Sequence, residues 1–265
     1  MAASEEDRIS KLDDKIIHRI LSYVSTKDAV TTSFLSKRWT NLCCFVPFLD
    51  FSDIKLSDRE SFARFNHFFY TVMLLRETYG SNSIDSFSLD IEFEHAHLNH
   101  LGILCLNNWL YLLGERNVKY LNLHLNFLNA PLLDKPLTHK LPSTIFTCKA
   151  LVLLNISCFT FKGCSFSSSV GFPSLKTLHF NHIYFNNRRD FLLLLAGCPV
   201  LEDFKACHVF TFEEEEVTCQ AFHTLNLNNL IRTYIIDTNF DIPMKALYNS
   251  EFLRIQLCQV RLFDY

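Results

Sequence analysis

Apolar residues recur at two different spacings along this chain. Up to about residue 80 they fall three and four apart, the period of a helix face; beyond it they form short words of the type apolar-x-x-apolar-x-apolar. Asp13 and Asp14 precede Ile16, Ile17, Ile20, Leu21 and Val24, and an aspartate there can accept the free N–H groups of a first helical turn. Ser25 and Thr26 interrupt the pattern. Thr26 with Asp28 opens a second short helix through Val30, and "SKRWTNL" predicts a third, with Trp39 and Leu42 on one face. So little helix buries too little surface to stand alone, so its apolar side chains need cover from the rest of the chain or from a partner. Ser57 and Glu60 make a capping-box pattern ahead of Phe62, Phe65, Phe69 and Val72, which predicts a longer helix.

Seven strand words follow: Ile84/Phe87/Leu89, Val118/Leu121/Leu123, Leu151/Leu154/Ile156, Leu175/Leu178/Phe180, Leu201/Phe204/Ala206, Phe222/Leu225/Leu227 and Phe252/Ile255/Leu257. Their first positions lie 34, 33, 24, 26, 21 and 30 residues apart, around the period of leucine-rich repeats, with insertions. Between them "NWLYLLGERN" and "RRDFLLLLAGCPV" read as helices, the second closed by Gly197 and Pro199. Helix, loop and parallel strand in repetition predict an α/β solenoid whose curved parallel β-sheet lines a concave face.

Composition removes several classes of chemistry. Net charge is −3, and the N-terminus "MAASEEDRIS" has no apolar signal region, so a reducing compartment, cytoplasm and/or nucleus, is expected. The longest apolar runs are far too short to span a bilayer, so no membrane partner is expected. Ten cysteines contain no C-x-x-C and read as small hydrophobes. Six glycines make no phosphate-binding loop. "EFEHAHLNH" gathers Glu92, Glu94, His95, His97 and His100 without the H-E-x-x-H spacing of a zinc helix, so a polar loop is expected and no metal or cofactor. "FEEEEV", from residue 212, reads as a solvated loop. Lys37 and Arg38 are the third helix's only basic residues, too few to hold nucleic acid.

The run "DRISKLDDKIIHRILSYVSTKDAVTTSFLSKRWTNL" with "VPFLDFSD" resembles the plant F-box motif, and "LPSTIFTCKALVLLNIS", "FPSLKTLHF" and "GCPVLEDFKAC" resemble the leucine-rich repeats that follow it in a large plant family. The resemblance implies an F-box over 1–53, a linker helix over 54–83 and repeats over 84–265, without an evident FBD domain before Tyr265. It also implies docking to an SKP-like adaptor, and through it a cullin-RING ubiquitin ligase, by Leu12, Ile16, Ile20, Leu21, Val24, Val30, Leu35 and Trp39. The repeats would then hold an unknown target protein, and the chain itself would be no enzyme. Asp13 and Ser25 stand where the family has proline, which leaves open a repeat-only binding module with a degenerate F-box.

Overall fold

The computed structural model describes the chain except residues 1–7, 10, 82, 96–97, 115, 128–138, 142–144, 147, 162–170, 214–224, 226 and 257–265. Three helices, α1 (Asp14–Leu21), α2 (Thr26–Thr32) and α3 (Lys37–Cys44), are followed by β1 (Phe48–Leu56) and the long helix α4 (Arg59–Thr78). Then come β2 (Ser86–Phe93), α5 (Leu98–Gly114), β3 (Tyr120–Phe127), β4 (His139–Lys140), β5 (Leu153–Ser157), β6 (Phe159–Thr160) and β7 (Thr177–Asn187). The described chain finishes with α6 (Arg188–Ala196), β8 (Asp203–Glu213), β9 (Arg232–Thr238), the single turn α7 (Met244–Leu247) and β10 (Phe252–Gln256).

The strands form one open parallel sheet in the order β1-β2-β3-β5-β7-β8-β9-β10, with the short β4–β6 pair attached to β7. Spatial order equals chain order, as a solenoid requires, because each strand packs beside the one from the preceding repeat. Strand residues alternate between a core face, covered by the helices, and an open face. Leu49, Phe87, Leu121, Leu154, Leu178 and Phe204 stand in one buried row across the sheet.

The register adds one unit and shifts two of the expected ones. Val46/Leu49/Phe51 is itself a unit, since Leu49 pairs with Phe87 and Phe51 with Leu89; the sheet therefore begins inside the segment expected to close the F-box at residue 53. The sixth unit is Leu230/Thr233/Ile235 on β9, and not Phe222/Leu225/Leu227. Leu225 and Leu227 are buried before that strand, and Phe222 lies outside the described residues. On β10, Leu253 and Ile255 are in register with Thr233 and Ile235, which leaves Phe252 on the open face, while Leu257 lies outside the described residues.

The apolar face of α4 covers the sheet: Phe62, Phe65 and Phe69 are buried, with Phe51 of β1 and Phe65 edge to face at 5.9 Å and Trp109 of α5 against all three phenylalanines. Its capping box is Asp58 with Ser61, one residue on from Ser57 with Glu60.

One main-chain device joins the repeats. At the entries to six strands, β2, β3, β5, β7, β8 and β9, a single carbonyl accepts two successive N–H groups of the next repeat. Pro47 serves Asp85 and Ser86, Asp85 serves Lys119 and Tyr120, and Lys119 serves Val152 and Leu153; Val152, Lys176 and Glu202 continue the series, all at 2.8–3.2 Å. This ladder satisfies the backbone at the bends without a recurring asparagine or cysteine side chain.

Candidate functional site

α1 is built with two adjacent apolar stripes. Ile17 and Leu21 point inward and, with Ala29, Trp39, Leu42 and Val46, fill the interior of the helical unit; Ile16 and Ile20, one residue earlier, lie on the outside. Of the residues expected to meet an adaptor, Ile16, Ile20, Val24 and Leu35 are exposed and Leu12 and Val30 are partly covered. Leu21 and Trp39 are buried within the unit, so their role is to hold it together. Sequence spacing merged the two stripes because both repeat every four residues. Tyr23 and Phe34, 77% and 88% exposed, were not among the residues expected to meet an adaptor. The legible signal was a phenylalanine in the turn between α2 and α3, outside either helical face.

Both residues that replace proline are helix caps. The Asp13 carboxylate accepts the Lys15 N–H at 2.8 Å, and the Ser25 hydroxyl oxygen accepts the Asp28 N–H at 3.1 Å. Their φ angles, −64° and −58°, lie where proline is fixed. The same backbone therefore accepts a proline or a side-chain cap. Arg38 reaches from α3 to the Asp14 carboxylate, its Nε donating at 2.9 Å, and to the Leu12 carbonyl, so it is a latch inside the unit rather than a free rim charge.

The unit is fastened to the sheet at two points. Asp50 of β1 donates its N–H to Thr26 Oγ1 at 2.7 Å. Arg76 of α4, only 1% exposed, donates to the carbonyls of Val46 at 2.6 Å and Ser83 at 2.8 Å. Among the described residues no carboxylate pairs with it; burial, helped by the nearby Arg116 charge, lowers its pKa to about 10, so it stays protonated at neutral pH. Beside it the thiol of Cys43 is pushed up to about 12 by burial, which makes it unreactive packing. The buried Cys198 is likewise pushed up to about 12.

The open face of the sheet is the second surface. A column of left-handed residues, Cys158, His182, His208 and Asp237, crosses β5 to β9 with φ between 52° and 65° where the register skips. The imidazoles of His182 and His208 stack at 4.5 Å and 10°, and His208 Nδ1 lies 2.9 Å from Asp237 Oδ2. Beyond them Tyr184 packs on Phe210 and Phe212. In the middle, Asn155 Nδ2 donates to Asn122 Oδ1 at 3.3 Å and lies 3.0 Å from His124 Nε2, and Asn181 Nδ2 donates to Ser157 Oγ at 3.3 Å. Among the described residues the face thus presents amides, imidazoles and aromatic rings.

Among the described residues the acidic and histidine-rich motifs do not come together. Glu92 pairs with Lys55 at 3.5 Å, His97 lies outside the described residues, and among the described residues no group of three potential ligands stands together. Of "FEEEEV", Phe212 and Glu213 end β8 and the rest lies outside the described residues.

A short helical unit fastened to the first strand of an open repeat sheet defines a docking module joined to a repeat scaffold. An F-box domain model matches residues 9–51, and a model described as "FBD-associated F-box protein At5g56370, LRR repeats" matches residues 106–236. Among curated relatives from Arabidopsis thaliana, F-box/LRR-repeat protein At4g14103 is 34% identical over 76% of this chain and 49% of its own length. F-box/LRR-repeat protein At1g55660 is 32% identical over 74% of this chain and 50% of its own. F-box/FBD/LRR-repeat protein At1g78750 is 30% identical over 89% and 48%. The chain belongs to the plant F-box/leucine-rich-repeat proteins. It spans about half or less of the length of the curated relatives it matches. No solved structure matches it.

Proposed function

We propose that this chain is a substrate-recognition adaptor of an SKP-cullin-F-box ubiquitin ligase: the helical unit docks an SKP-like adaptor and the open face of the repeats holds the target. The carrying observation is that Ile16, Ile20, Val24, Phe34 and Leu35 are exposed on a unit whose interior is already filled by other residues. Apolar side chains outside a complete core do nothing for that core and are stabilised by a partner that covers them, at about 1.5–3 kcal/mol for each large side chain fully buried. The bond chemistry belongs to other subunits. This chain contributes proximity, raising the concentration of target lysines near the charged conjugating enzyme.

Such work belongs in the cytoplasm or nucleus, and among the described residues no helix is long and apolar enough to cross a membrane. The test is co-purification of the full chain with an SKP-like adaptor. Ile20→Asp and Phe34→Asp should each abolish capture while leaving the circular dichroism spectrum unchanged, because each puts an unpaired charge into an apolar contact. Capture by both variants at the wild-type level would overturn the reading.

A further inference from the structure

The strand register assigns every open-face side chain a column, and the charges left over after internal pairing are segregated. In the half formed by β7 to β10, Asp203 is engaged by both His179 at 3.2 Å and Arg232 at 2.7 Å, and Asp237 is engaged by His208. Lys176 and Glu202 pair at 2.8 Å at the strand entries. In the row that crosses the strands through His179, Lys205 and Arg254 remain. They flank Tyr234 in one row, Lys205 opposite Tyr234 and Tyr234 opposite Arg254, and among the described residues neither has a carboxylate partner. Arg254 donates only to the Gln256 amide oxygen at 3.3 Å. The Tyr234 ring rests on Phe252 at 5.3 Å.

On the open face of β1 to β3 the remainder has the opposite sign. Lys119 is taken by Asp85 at 2.9 Å and Lys55 by Glu92. Among the described residues Asp50 and Asp90 have no cationic partner: Asp50 accepts hydrogen bonds from the N–H and hydroxyl of Ser52, and Asp90 lies in register with His124, whose burial favours the neutral ring. Asp50, Lys205, Tyr234 and Arg254 belong to the same row as Ser88, Asn122, Asn155 and His179. The row therefore runs from anionic to cationic, and its middle is a set of amides able to donate to and accept from a peptide backbone.

We propose that this face takes an extended protein segment laid across the strands, with lysine or arginine over Asp50 and Asp90 and aspartate or glutamate over Lys205 and Arg254. The inference rests on the repeat sheet being the target face. Strands about 4.8 Å apart put the ends of the row, β1 and β10, about 34 Å from each other, which an extended segment of about ten residues spans. Complementary charge at both ends would fix the position of the segment and reject segments of uniform charge.

The probes are two fluorescein-labelled peptides of about twelve residues and identical composition. One gathers its lysines at one end and its glutamates at the other; the second alternates them. Binding to the full chain is read by fluorescence anisotropy at low salt. The gathered peptide should bind about ten-fold tighter or better, and Lys205→Glu with Arg254→Glu should remove that preference. Adding Asp50→Lys and Asp90→Lys to that pair reverses both poles and should restore it, since the peptide can lie the other way round.

Equal binding of the two peptides, binding of neither, or a preference that survives Lys205→Glu with Arg254→Glu overturns the inference. Failure of the underlying reading shows elsewhere. A photo-crosslinking residue at Asn155 of the full chain that captures no protein from plant extract would remove the target face itself.

Discussion

Arg76 Nη1 donates to the main-chain carbonyl of Val46 at 2.6 Å, which ties the longest helix to the residue where the helical unit passes into the sheet. A second donation, to the Ser83 carbonyl, holds the entry to β2. Because Arg76 is buried with no carboxylate partner among the described residues, its stabilising partners are the two carbonyl dipoles and the Ser81 hydroxyl. Arg76→Ala would strand both carbonyls and open a cavity, and should cost about 3 kcal/mol in urea unfolding. Arg76→Met keeps most of the volume and removes the buried charge, so it should cost clearly less. Equal losses would mean that packing alone explains the residue.

Leu21 and Ile20 are neighbours with opposite fates. Leu21→Ala removes interior volume and should destabilise the helical unit by about 2–5 kcal/mol. Ile20→Ala should change stability little, since its side chain is 44% exposed. Thermal unfolding of the two variants alone, without any partner, checks this. Loss of adaptor capture by a Leu21 variant would then be read as loss of fold, and by an Ile20 variant as loss of contact.

At the two helix entries, Ser25→Ala and Asp13→Ala should each cost about 1 kcal/mol by freeing a first-turn N–H group. Ser25→Pro and Asp13→Pro meet compatible φ angles and exchange a cap for reduced freedom of the unfolded chain, so they should fall closer to neutral than the alanines. Chemical denaturation of the four variants orders them; prolines more damaging than alanines would contradict the shared backbone.

Sequence spacing revealed the helical unit and most of the strands, because burial on one face imposes a period that apolar residues record. It missed what register decides. Thr233 is fully buried yet polar, its hydroxyl 2.7 Å from that of Ser250, so the β9 unit lacked its central apolar letter and the pattern slid to Phe222/Leu225/Leu227. β1 was hidden for another reason: Leu49 and Phe51 matched the F-box words, and a segment that ends one module while opening the next offers no change of composition. The open-face columns were invisible, since they depend on which residues pair across strands more than twenty positions apart in the chain.

His182 provides a pH signature. Burial holds its pKa below the usual imidazole value, the stacked His208 ring adds to that effect and Asp237 opposes it. The unfolded chain then takes up a proton that the folded chain resists. Stability is complete above about pH 6.5 and is lost as pH falls through the lower folded value. His124, lowered by burial, acts in the same direction. Asp58, held low by the Ser61 N–H, loses its contribution only in the more acidic range below the usual carboxylate value. The urea midpoint should decline from pH 7 to pH 5, and less steeply in His182→Asn, because asparagine tolerates the left-handed backbone there. Parallel curves for the two proteins would assign the decline elsewhere.

The carbonyl ladder from Pro47 to Glu202 has a further consequence. Every rung is main chain, so this part of the coupling between successive repeats makes no demand on the identity of the side chains that face solvent, nor on the length of the segment looping between strands. A chain built this way can change open-face residues one at a time while the rungs stay in place. The scaffold and the specificity it displays are free to evolve at different rates.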